Sequence, residues 1–150
     1  SRIAPRLYLG DARTARSPHA MNKFRFTHVL SITAPRKRCM FHGIRTYSCV
    51  LEDEEDQNIY QFFRATSKWI AQALDAGGVV LVHCEMGISR SATLVCAYLL
   101  WRREVASAQQ AIAAVKSQRW RAEPNPGFER HLVRWSGRGC RLRCGKRTHC

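Results

Sequence analysis

The chain has 150 residues, 45% of them hydrophobic, which suits one globular domain with a single enclosed core. No window holds the roughly 18 consecutive apolar residues of a membrane-spanning helix, and the opening SRIAPRLYLGDAR lacks the apolar stretch of a secretory signal. Lys and Arg total 25 against 11 acids, a formal charge of +14 that attracts anionic partners in general without choosing among them.

In chain order, residues 6–10 read as a short strand ending at Gly10-Asp11. Ser17-Pro18 is a helix start, with serine as N-cap and proline at the first helical position. Residues 27–33 and 44–51 have the β-branched, apolar character of strands, and the basic stretch 34–43 between them reads as a loop. Five acids, Glu52, Asp53, Glu54, Glu55 and Asp56, then crowd ahead of a helix whose N-terminus they would stabilise. From Gln57 the residues Ile59, Phe62, Phe63, Ile70, Ala73 and Leu74 recur at helical spacing, up to Gly77-Gly78. The apolar run 79–82 predicts a central strand covered on both faces. Further helices are expected over 91–102, 108–116 and 127–135. The alternation predicts an α/β fold, a mainly parallel central sheet flanked by helices. The domain is expected over residues 1–135, followed by a basic, Cys-rich tail at 136–150.

Seven cysteines do not suggest a disulfide framework. Cys39, Cys49, Cys84 and Cys96 are widely spread, and Cys49 and Cys96 sit in apolar stretches as core thiols would. The pattern fits a reducing compartment, cytoplasmic or nuclear. In the tail, Cys140, Cys144, His149 and Cys150 lie close together, but C-x3-C-x4-H-C lacks paired CxxC knuckles and a second half to wrap zinc. The tail is therefore read as disordered or truncated, and no metal or cofactor is expected.

Residues 79–91, VVLVHCEMGISRS, carry the chemistry. A cysteine leaves a buried strand, a short glycine-containing loop follows, and an arginine stands where a helix begins. Such a loop turns backbone N–H groups inward into a concave anion site, and the helix N-terminus adds further donors. Gly87 permits the tight backbone path. The donors that bind phosphate also stabilise a thiolate on Cys84, the form that attacks phosphorus. The planar guanidinium of Arg90 fits two phosphate oxygens at once, which lysine could not copy. Ser91 is placed to donate a hydrogen bond to the sulfur as it leaves the thiophosphate, and His83 to brace the loop through backbone contacts. A buried structural cysteine with an incidental arginine nearby would not explain these pieces occurring together in order.

The segment from His83 to Ser91, HCEMGISRS, resembles the HCxxGxxRS signature of the dual-specificity phosphatases. RIAPRLYLG at residues 2–10 is similar to that family's opening strand. AYLL at 97–100 resembles its AYLM segment, departing at the last position. PNPGF at 124–128, containing Asn125, resembles its site-buttressing PNxGF element. The likeness covers nearly all of residues 1–135. It implies a phosphate-binding loop of Glu85, Met86, Gly87, Ile88, Ser89 and Arg90. It further implies a shallow pocket admitting phosphotyrosine, phosphoserine and phosphothreonine, and a cysteinyl-phosphate intermediate. HCEMGISRSAT and EPNPGF are also similar to a fungal-type subgroup with a C-terminal zinc module.

The departing alkoxide needs a proton, which an aspartate on a loop facing the pocket can supply before acting as base toward water. Asp53 and Asp56 are candidates, with Glu52, Glu54 and Glu55 as competitors. The family places this acid directly after the strand, in a context resembling Val50-Leu51-Glu52-Asp53, which favours Asp53. No basic residue lies between Cys84 and Arg90, which leans toward phosphorylated proteins as substrates. The +14 charge leans the other way, toward RNA 5′ ends or phosphoinositides. With 9% aromatics and no basic-aromatic stripe, nucleic acid is not expected as the main partner. A phosphate-binding pseudophosphatase is the other alternative; it would be expected to lack Cys84, Arg90 or the acid, and all three are present.

Overall fold

In the computed structural model, residues 1–34 and 43–139 are described. Most of the basic stretch 34–43 with Cys39, and Cys140, Cys144, His149 and Cys150 of the tail, lie outside the described residues.

Five strands, β1 (Arg2–Ala4), β2 (Leu7–Gly10), β3 (His28–Thr33), β4 (Arg45–Val50) and β5 (Val80–His83), form one sheet in the order β1-β2-β5-β3-β4. The β2–β5, β5–β3 and β3–β4 pairs are parallel, and only β1 runs antiparallel, against β2. The mainly parallel α/β fold expected from the alternation of elements is the fold observed. All four residues of β5 are buried, as a strand with cover on both faces requires.

Strand side chains alternate between two unequal cores. Leu7, Leu9, Leu30, Ile32, Val80 and Val82 enter the main core, under α3 (Tyr60–Asp75), α4 (Arg90–Trp101), α5 (Ala108–Gln118) and α6 (Pro126–Arg134). Val29 and Leu81 point the other way, into a small cluster with Ala15 of α1 (Ala12–Arg16), Met21 of α2 (Pro18–Phe24) and Phe26. Phe63 and Phe128 are fully buried in the main core, and each aromatic of that kind contributes about 1.5–3 kcal/mol by leaving water. In α4, eleven of twelve residues are buried, which makes it the central helix rather than an amphipathic surface one.

α1, a helix of 5 residues, is too short for periodicity to reveal. Asp11 caps it, its carboxylate accepting from Thr14 N at 2.8 Å and Thr14 Oγ at 3.0 Å. Ser17 closes α1 and caps α2 by accepting from Ala20 N at 3.1 Å, with Pro18 first in the helix. α3 starts later than expected, at Tyr60. Its N-cap is Ile59, with no side-chain cap and no acid in the first turn. The acidic cluster therefore does not stabilise that helix start; the chain spends those residues in turns first. α4, α5 and α6 fall within a residue or two of expectation. Residues 136–139, expected in the tail, continue α6 as a π-helical turn (Trp135–Gly139), and Trp135 Nε1 donates to the Ala97 carbonyl of α4 at 3.1 Å. No helix among the described residues is long and apolar enough to cross a membrane.

The C-terminal ends of β2, β5, β3 and β4 share one edge of the sheet, where Gly10 pairs with His83 and His83 with Ser31. Residues 10–12, 84–90 and 51–53 leave the sheet together there, at the edge where open parallel sheets present their clefts.

Candidate active site

Backbone hydrogen bonding sets the shape of the loop between β5 and α4. Each carbonyl from Cys84 to Ser89 is held from outside the cleft. His83 Nδ1 lies 3.1 Å from Cys84 O, and Ala12 N donates to Glu85 O at 2.9 Å. Arg119 donates from its NH2 to Met86 O at 3.1 Å and from Nε to Gly87 O at 2.9 Å. Glu123 N donates to Ile88 O at 2.7 Å, and Thr93 N and Oγ1 to Ser89 O at 2.9 and 2.7 Å. In a trans peptide the N–H points opposite to the C=O, so carbonyls turned outward leave amides turned inward.

One of those amides reaches the thiol of Cys84, which is 2% exposed. Gly87 N donates to its Sγ at 3.2 Å, and Ser91 Oγ lies 3.0 Å from the same atom. Gly87 has φ +68°, and a Cβ there would come within 2.6 Å of Gly10 O. Glycine is required on both counts.

Behind the thiol, His83 is buried between strands. With Nδ1 donating to the Cys84 carbonyl, Nε2 is the acceptor, and Ser31 Oγ on β3 donates to it at 2.5 Å. Burial holds the His83 imidazole below its ordinary range, which keeps it neutral.

Arg90 opens α4 and is 9% exposed. One terminal nitrogen donates to Leu51 O at 2.9 Å, while Nε is buried with no hydrogen-bond partner among the described residues. A buried, unsatisfied guanidinium N–H beside a thiol and a ring of inward amides is the donor set that an oxyanion completes.

Asp53 comes to this cleft from the other side, after β4. It shares with Cys84, Glu85, Met86, Ile88, Ser89 and Arg90 the lining of a shallow cavity of about 210 Å³. Glu52, Glu54, Glu55 and Asp56 are not part of that lining. Asn125 spans the parts: its N–H donates to Ser89 Oγ at 2.9 Å, its Nδ2 to Asp53 Oδ1 at 2.9 Å, and its Oδ1 caps α6 by accepting from Phe128 N at 2.9 Å. Gly127 makes the approach possible, since a Cβ there would collide with the Glu55 carbonyl. Among the described residues, no group of three or more His, Cys, Asp or Glu is placed to hold a metal ion.

The sequence thus named the residues brought together at the thiol, with His83 and Asn125 among their supports, and missed Ala12, Ser31, Arg119 and Glu123, which hold the loop and His83. Arg119 lies 32 residues from Gly87 along the chain, and no spacing rule links them. Ser31 had a faint signal, as a hydroxyl inside the otherwise apolar run VLSI of β3.

The model of the family described as "Dual specificity phosphatase, catalytic domain" matches residues 7–138. The chain is 37% identical over 142 residues to protein phosphatase Slingshot homolog 3 of Homo sapiens, covering 91% of this chain and 21% of that protein. It is 39% identical over 136 residues to dual specificity protein phosphatase 22-B of Danio rerio, covering 88% of this chain and 71% of that protein. Among solved structures, human DUSP28 matches with a TM-score of 0.85 at 31% identity, over 91% of each chain. The chain thus spans about a fifth of the Slingshot protein's length and most of the shorter phosphatase.

Proposed function

The chain belongs to the dual-specificity phosphatase family, and we propose that it hydrolyses phosphotyrosine and phosphoserine or phosphothreonine in proteins, with Cys84 as nucleophile. The observation that carries this reading is the loop 84–89 with its carbonyls tied outward and its amides inward, around a thiol and beside an unpartnered Arg90 Nε.

The steps follow from that placement. The substrate's phosphate oxygens take the inward amides and the Arg90 guanidinium, which fits two of them. Cys84 thiolate attacks phosphorus; an S–P bond forms, the P–O ester bond breaks, and the Asp53 carboxyl gives its proton to the departing oxygen. Water then attacks the phosphocysteine, the Asp53 carboxylate takes the water's proton, and the S–P bond breaks. Phosphate leaves while the Ser91 hydroxyl donates to the returning sulfur. Asn125 and Arg90 tie the acid side of the cleft to the loop side through Asp53 and Leu51. His83 supports the loop from behind.

The catalytic domain takes in residues 1–135 on this reading. Substrates are phosphorylated proteins, because the loop between Cys84 and Arg90 carries no cation for a more highly charged ester. Free thiols at Cys49, Cys84 and Cys96 suit a cytoplasmic or nuclear setting.

The test is hydrolysis of phosphotyrosyl and phosphothreonyl peptides in chelator, by the wild-type chain beside Cys84→Ser. Turnover of both peptides that vanishes in the variant is expected. A folded wild-type protein that binds vanadate but turns over neither peptide would sink the reading in favour of a phosphate-binding module. Asp53→Asn should slow alkyl phosphates about 10²-fold or more, and activated aryl phosphates far less. Equal losses on both would remove Asp53 from the role of acid.

A further inference from the structure

Two adjacent peptide planes of the phosphate loop are fixed by one guanidinium. Arg119 stands at the C-terminal end of α5 with extended backbone, its own N–H bonded to Val115 O at 2.9 Å, so its stem starts from a rigid point. From there NH2 reaches Met86 O at 3.1 Å and Nε reaches Gly87 O at 2.9 Å, while NH1 lies 3.4 Å from Ser1 Oγ.

Met86 O shares its peptide unit with Gly87 N, the amide that points at Cys84 Sγ from 3.2 Å. Gly87 O likewise shares a unit with the Ile88 amide. Pulling both carbonyls outward therefore aims two consecutive N–H groups inward. Gly87 needs such a hold more than other residues, because a glycine at φ +68° has cheap alternative conformations that would turn the peptide over. The same glycine makes room for the hold, since a Cβ there would come within 2.8 Å of Arg119 NH2. Lysine could not replace this fork, because one ammonium on a flexible stem does not grip two carbonyls in fixed geometry.

We propose that Arg119 is a positioning residue for phosphoryl transfer, which keeps the Met86–Gly87 and Gly87–Ile88 peptides turned so that their N–H groups face the cysteine and the phosphate. The inference rests on Cys84 as nucleophile. It assigns Arg119 no contact with substrate, so its effect belongs to the loop rather than to the peptide being bound.

The experiment compares wild type, Arg119→Met and Arg119→Lys on p-nitrophenyl phosphate, a substrate too small to need contacts beyond the loop. Vanadate affinity and the KM for phosphopeptides are measured alongside. Arg119→Met should lose about 10²-fold in kcat, as for a displaced oxyanion donor. Its vanadate affinity should fall as well. Arg119→Lys should remain about tenfold below wild type, in the range found when a supporting residue is lost. A wild-type kcat in Arg119→Met, with loss confined to KM for phosphopeptides, would overturn the proposal by making the guanidinium a substrate contact. So would full activity in Arg119→Lys, which would leave charge alone as the cause. If Arg119→Met does not fold, Arg119→Lys, which keeps charge and stem, decides by the same readouts. A wild-type protein without Cys84-dependent turnover would defeat the phosphatase reading instead, and the vanadate comparison would still decide the role of Arg119.

Discussion

Cysteine chemistry here is decided by surroundings rather than by residue type. Cys49 and Cys96 are buried in the main core, and burial pushes each thiol up to about 12. Both stay protonated; Cys84 is as buried as Cys49, each 2% exposed, but it shares the lining of the cleft with Asp53 and Arg90 and its Sγ accepts from Gly87 N. Iodoacetamide at neutral pH should therefore label the peptide bearing Cys84 while those bearing Cys49 and Cys96 stay intact. Inorganic phosphate should protect Cys84. Mass spectrometry showing labelling of Cys49 or Cys96 at the rate of Cys84 would contradict this. Ser31 makes a second case at this scale. Ser31→Ala would leave the buried Nε2 of His83 without its donor, at a cost of about 1–3 kcal/mol. Lower stability, read by denaturant midpoint, is the expected result, and a midpoint equal to wild type would mean that His83 finds another partner.

Helix ends hold much of the site. α4 begins at Arg90, Arg119 is the C-cap of α5, and α6 is capped by Asn125. Asn125 does two separable jobs, since its Oδ1 caps the helix and its Nδ2 holds Asp53. Asn125→Ala should lose the cap, about 1 kcal/mol, and should free Asp53. Asn125→Ser should keep much of the cap, because serine is a good N-cap, yet lose the Asp53 bond. Both variants should then slow alkyl phosphates more than aryl phosphates, while only Asn125→Ala melts appreciably lower. If Asn125→Ser showed no dependence on leaving group, the Nδ2 bond would not matter to the acid.

At the scale of the whole molecule, His28, His83 and His131 are all held below the ordinary histidine value of 6.5, chiefly by burial. Nearby arginines assist, Arg45 for His28 and Arg134 with Arg130 for His131. Well above 6.5 these rings are neutral in folded and unfolded chain alike, and they contribute no pH dependence. As pH falls below that value, the unfolded chain takes up protons that the fold resists, so stability declines until the lowered native values are passed. The melting temperature should drop as pH falls from about 7 to about 5.5, a range in which the carboxylates stay ionised. A flat melting temperature across that interval would rule out the histidines as the cause. His83 sits under the loop that follows β5, so part of this loss should fall on the candidate site itself.

What was legible without coordinates was local. The run VVLV followed by HCEMGISRS predicts strand, anion loop and helix because each needs particular residues within a few positions of one another. Ser17-Pro18 was readable for the same reason, being short-range cap chemistry, and the PNPGF element through its resemblance to the family's own. The acidic cluster was half legible: five carboxylates in a row name the segment, but only the fold brings Asp53 onto the cleft lining and to Asn125. Arg119 over Met86 and Gly87 and Ala12 on Glu85 were beyond any pattern, because a parallel sheet gathers distant chain segments at one edge. The sequence alone determined which groups are proposed for the chemistry; tertiary structure decided how they are aimed, since a backbone amide has no side-chain identity and takes its direction from whatever holds the carbonyl beside it.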